Sequence, residues 1–173
     1  GESVCVTVDS GGVPAPSELY IRYGDVASGS DYDFAAREAL SADPWTMIPG
    51  TRAGIYYVLV QGRSGSADTP VTITAEALPF SVLDVAVDQG GDSRWVTATI
   101  TGARFAPEAI VKLVRPGLAE LEPVRYEVVD ATTIIATFDL RNLPHGLYDV
   151  AVVNPGGAIA SLPYRYLIET ALP

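Results

Sequence analysis

From Ile100-Thr-Gly-Ala-Arg-Phe105 to Gly146-Leu-Tyr-Asp-Val-Ala-Val-Val-Asn-Pro-Gly-Gly157 the chain alternates apolar and polar residues, is rich in β-branched side chains, and shows no helical period. A strand sends successive side chains to opposite faces, so this alternation leaves one apolar face to be buried. Short strands separated by Gly and Pro turns bury such faces by pressing two sheets together. The segment therefore reads as a small antiparallel sandwich.

The same reading extends to the rest of the chain. Residues 4–8 alternate, with Val4, Val6 and Val8 on one face. Residues 18–23 form the next strand, and residues 45–48 a short one. Residues 55–61 (Ile-Tyr-Tyr-Val-Leu-Val-Gln) are nearly all apolar, which predicts a central strand buried on both faces. Residues 69–77 predict a strand with Val71, Ile73 and Ala75 inward. Residues 34–40 have the composition of one or two helical turns but lie among strands, so they read as coil or an irregular strand. Leu78-Pro79 marks a boundary. Beyond it, strands are expected at 80–87, 95–100, 109–114, 124–129, 133–138, 147–153 and 158–167, with Trp95 and Phe105 packing their core. No βαβ alternation is present, so no parallel sheet is expected. The fold class is all-β: two tandem antiparallel β-sandwiches, residues 1–78 and 79–173.

Composition narrows the roles. Hydrophobic residues make up 48% of the 173, which disordered chains do not reach, and 16 Gly with 13 Pro supply turns. The net charge is −10 with a single lysine, Lys112, which disfavours nucleic acid and anionic membrane surfaces, since both recruit basic side chains. No apolar run approaches the ~20 residues of a membrane span. Cys5 is the only cysteine, so no internal disulfide is possible, and its place in a strand reads as packing rather than reactivity. The chain opens at Gly1 and reads as a piece of something longer.

Two families are resembled. Residues 80–168 resemble the immunoglobulin-like domain shared by plexins and transcription factors, the IPT/TIG domain. The likeness is carried by Val96-Thr-Ala-Thr-Ile-Thr-Gly-Ala-Arg-Phe105, Ala109-Ile-Val-Lys-Leu113, Asp130-Ala-Thr-Thr-Ile-Ile135 and residues 146–157. The resemblance implies that the Gly146–Val153 stretch crosses the core and that the Asn-Pro-Gly-Gly turn leads to the last strand. Val150 and Val152 then face inward, Tyr148 caps the sheet, and Gly156 or Gly157 takes positive φ. Residues 1–78 resemble the jelly-roll-like sandwich of bacterial pre-peptidase C-terminal domains, through Leu19-Tyr-Ile-Arg-Tyr-Gly-Asp25, Ser30-Asp-Tyr-Asp33 and Gly54-Ile-Tyr-Tyr-Val-Leu-Val-Gln-Gly62. That family opens with a strand ahead of the Gly-Glu-Ser that begins here. The resemblance thus implies a missing first strand, an exposed edge, and dimerisation by strand addition as one way to cover it.

Candidate site residues are few. Asp25, Asp31 and Asp33 share one loop whose oxygens suit calcium; Asx turns are the alternative, and the spacing is not that of an EF-hand. His145, the only histidine, lies in a Leu-Pro-His-Gly turn and reads as an exposed turn residue rather than a hydrolase base. One His and one Cys in different halves make a zinc site improbable. Tyr32 and Trp45 are the candidate ligand-stacking aromatics of a first half that also holds Tyr20, Tyr23, Tyr56 and Tyr57. Tyr56 and Tyr57 must point oppositely, so one is expected in the core.

These readings predict a non-catalytic structural or adhesion module of a larger secreted or surface-attached bacterial protein, with no resident cofactor unless calcium binds. The alternative is an accessory module of a secreted hydrolase that binds carbohydrate or an extracellular matrix protein. Its partners are then other domains of the parent protein, and a polysaccharide or an extracellular protein.

Overall fold

The computed structural model describes residues 1–13, 16–38, 41–62 and 70–171. Every regular element among them is a strand, and no helix is long and apolar enough to cross a membrane. The chain divides into two compact units, Gly1–Leu78 and Pro79–Pro173.

The first unit has six strands: β1 (Val4–Asp9), β2 (Ser17–Tyr23), β3 (Phe34–Ala36), β4 (Trp45–Ile48), β5 (Tyr56–Gly62) and β6 (Thr72–Ala77). They form two antiparallel three-stranded sheets, ordered β4-β1-β6 and β3-β2-β5. Apart from β2 to β3, successive strands change sheet, as in a jelly roll. Val6 and Val8 from one sheet meet Leu19 and Ile21 from the other, with Ile48 closing the core. Of residues 34–40, Phe34–Ala36 form the short strand β3; Ala39, Leu40 and Thr69, included in the expected segments, lie outside the described residues.

Two expectations are corrected here. The strand buried on both faces is β2, not residues 55–61: Leu19 and Ile21 are sealed inside, and Tyr20 on the opposite face is 2% exposed. Strand β5 pairs only with β2 among the described residues, and Tyr57 and Val58 are open to solvent. Its apolar run belongs to an edge. In β6, Ile73 and Ala75 stand directly opposite Val8 and Val6, so they do share the inward side. The strand is nonetheless an edge, and Ile73 stays 47% exposed, with Val71 also open. Alternation named the face correctly; edge position decided burial.

The second unit has nine strands: β7 (Ser81–Ala86), β8 (Gln89–Gly91), β9 (Trp95–Ala103), β10 (Ile110–Arg115), β11 (Ala119–Leu121), β12 (Arg125–Asp130), β13 (Thr133–Asp139), β14 (Gly146–Val153) and β15 (Ile159–Glu169). One sheet runs β12-β13-β9-β7, the other β11-β10-β14-β15-β8. This is the immunoglobulin-type division of strands between two sheets. The core joins Ile100, Ile134, Ala136 and Phe138 to Val111, Leu113, Val150, Val152 and Tyr166. Tyr148 is fully buried near the start of β14, and its hydroxyl donates to the Pro144 carbonyl at 2.7 Å, the tyrosine-corner arrangement of such sandwiches. Gly156 and Gly157 both take positive φ, at 90° and 86°.

Two further expectations fail. Strand β8 pairs with β15 in parallel, through Leu167↔Gln89 to Glu169↔Gly91, so the unit is not purely antiparallel. The cause is a change of sheet after β7, where Val87 adopts φ 61° and the chain then runs alongside the last strand. Gly90 permits the approach, because a Cβ there would lie 2.4 Å from Leu140 Cδ1 and 2.8 Å from Val96 Cγ2. Trp95, expected in the core, is 61% exposed, whereas Phe105 is buried as expected. Ala98 and Ile100 face inward on β9, and period two then puts Trp95, Thr97 and Thr99 outside.

Candidate functional site

The aspartates of the first unit's loop are organised by an arginine. Arg22 leaves β2 and meets Asp31 at 2.5 Å and Asp25 at 3.6 Å. Asp33 turns back to accept the Tyr23 amide at 2.8 Å, and Asp25 accepts the Val26 amide at 2.7 Å. The Ser28 hydroxyl accepts the Asp31 amide at 3.0 Å and closes the turn. Each carboxylate thus holds a backbone amide or the guanidinium. Among the described residues, no group of three or more His, Cys, Asp or Glu side chains could hold a metal ion.

The two aromatic candidates are placed apart. Tyr32 stacks against Tyr20 with ring centroids 5.3 Å apart, and its hydroxyl accepts from Arg37 at 3.3 Å. Tyr20 in turn donates to Glu18 at 2.6 Å. Trp45 opens β4 opposite Thr7 and is 49% exposed. No ring contact joins Tyr32 to Trp45 among the described residues. Of the pair Tyr56 and Tyr57, Tyr56 packs on the core and Tyr57 faces water. Cys5 is half-buried; burial, and then the facing Glu76 carboxylate, push its thiol above the ordinary range, which suppresses the thiolate.

His145 has a partner that its turn does not announce. Its Nε2 lies 2.6 Å from Asp92 Oδ2, 53 positions earlier in the chain. The other carboxylate oxygen accepts the Ala171 amide at 2.9 Å, and the Asp92 amide donates to the Glu169 carbonyl at 2.9 Å. Arg115 reaches the His145 carbonyl and lies over the Tyr148 ring. The Ala171 amide, then His145, hold the Asp92 carboxyl below the usual carboxylate range. A Ser-His-Asp hydrolase needs a serine on the histidine. Here the Nε2 is taken by the aspartate, and no hydrogen bond joins His145 to a serine among the described residues. The pair fastens the end of β15 to β8 and to the turn before β14.

A second cross-strand group involves Trp95. Asp139 is its register partner on β13. Arg141 donates twice to the same carboxylate, from Nε at 2.8 Å and Nη2 at 2.5 Å. Its guanidinium sits 5.7 Å from the indole centroid. Sequence reasoning missed both groups. The outward parity of Trp95 relative to Ala98 and Ile100 was a usable signal; the His145–Asp92 pairing, made by tertiary folding alone, left none. No protein-family model matches the chain, and no curated protein matches it either, so the fold and these local geometries carry the functional reading.

Proposed function

We propose that the chain is a non-catalytic structural and adhesion module of a larger secreted or surface-attached bacterial protein. What carries this reading is the use of its chemistry-bearing side chains. Asp25, Asp31 and Asp33 hold Arg22 and turn amides, and Asp92 with His145 ties down a strand end. Arg165 bridges Asp84 at 2.8 Å and Asp88 at 3.1 Å, pinning β15 to β7 and the turn that follows it. These groups fasten loops rather than converge on a reacting atom. The edges that β5 and β6 form among the described residues, with Val58, Val71 and Ile73 open to solvent, support association by strand addition as part of the same role.

The test is a turnover screen on the purified chain with ester, peptide and glycoside substrates across pH 5 to 8. The reading predicts rates equal to those of heat-denatured protein. Saturable turnover that disappears in His145→Ala would overturn it.

A further inference from the structure

We propose that the second unit carries a sugar-binding groove built on Trp95, with the pyranose ring of a neutral glycan as its ligand. The inference deepens the adhesive part of the role proposed above and rests on it.

An open surface groove of about 480 Å³ lies between the start of β9, β8 and the end of β15. That lies within the range of small-ligand sites, roughly 300–1,000 Å³. Its walls include Val87, Gln89, Gly90, Arg94, Trp95 and Glu169. Trp95 contributes an indole that is 61% exposed. Arg141, itself clamped by Asp139, lies over one face of the ring.

The chemistry around that surface selects the ligand. A pyranose offers a C–H face, which packs on a flat apolar ring, and a rim of hydroxyls that needs both donors and acceptors. Gln89 supplies both, Arg94 donates and Glu169 accepts. None of these three side chains makes a hydrogen bond or ion pair among the described residues. Arg94 and Glu169 balance in charge, and the chain as a whole carries −10, which opposes polyanions. Val87, whose positive φ turns the chain from one sheet to the other, also lines the groove.

The experiment uses Trp45→Phe, which leaves Trp95 as the sole tryptophan, and follows its fluorescence on titration with cello-, chito-, manno- and laminari-oligosaccharides. The expected result is a saturable shift with at least one sugar at millimolar concentration or below. Retention of the otherwise unchanged chain on the matching insoluble polysaccharide should fall at least tenfold in Trp95→Ala, and partly in Arg141→Ala, with the melting temperature kept. If Trp95→Ala does not fold, the double variant Gln89→Ala with Glu169→Ala reads the same loss. No saturable shift with any of these sugars overturns the groove and leaves a spacer role standing. Retention lost in Tyr32→Ala or Trp45→Ala but kept in Trp95→Ala also overturns it and leaves adhesion through the first unit.

Discussion

Two buried tyrosines show how much a single hydroxyl matters in this molecule. Tyr148 and Tyr166 are both fully buried, but Tyr148 donates to Pro144 while the Tyr166 hydroxyl has no partner among the described residues. Burial, and then Asp88, push the Tyr166 phenol up to about 12. An unmet buried hydroxyl costs stability, and a satisfied one contributes about 1 kcal/mol. Tyr166→Phe is therefore expected to leave the urea midpoint unchanged or raise it, whereas Tyr148→Phe lowers stability by about 1 kcal/mol. The carboxylates set the response to acid. Asp92 is depressed by the Ala171 amide and then by His145, Asp84 chiefly by Arg165, and Asp139 most strongly, chiefly by Arg141. A carboxyl depressed in the folded state takes up a proton on unfolding. Its contribution is complete above the unfolded value, near about pH 4, and is lost as pH falls through the folded value. Asp92→Asn should lie below the parent in stability at neutral pH. Urea titrations should show the gap closing as pH falls below the unfolded carboxylate range and through the depressed Asp92 value.

Among the elements, β8 depends on one glycine. Its parallel pairing with β15 brings Gly90 against Leu140 and Val96, and Gly90→Ala forces those side chains aside. Overpacking of this kind costs about 1–3 kcal/mol, and a thermal melt should show it. The strands themselves were legible in the sequence because alternation and turn residues report directly on period-two geometry. Residues 4–8 and 45–48 needed no tertiary information to be placed in strands. Burial was legible only where a strand lies inside its sheet. Residues 55–61 look central by composition, yet β5 sits at an edge, and Ile73 faces inward without being covered. Sheet order is a long-range property, and no local pattern encodes it. The same limit hid the parallel β8 and the His145–Asp92 pair. Trp95 was misplaced for a different reason: tryptophan was read as core by residue type, although parity with Ile100 had already put it outside.

For the whole molecule, each unit owns a core of its own, one joining Val6 to Leu19 and the other joining Ile100 to Val150. The claim common to both is that alternate side chains are pressed between paired sheets while their neighbours meet water. Strand β13 offers the cleanest comparison, because Ile134 is 0% exposed and Ile135, the next residue, is 41% exposed. The two share side-chain chemistry, strand and neighbours in sequence, and differ in the face they occupy. The decisive measurement is the urea-unfolding free energy of Ile134→Ala beside that of Ile135→Ala in the full chain. The account predicts a loss of about 2–5 kcal/mol for the first and under about 1 kcal/mol for the second. Equal losses, or a larger loss at Ile135, would contradict it.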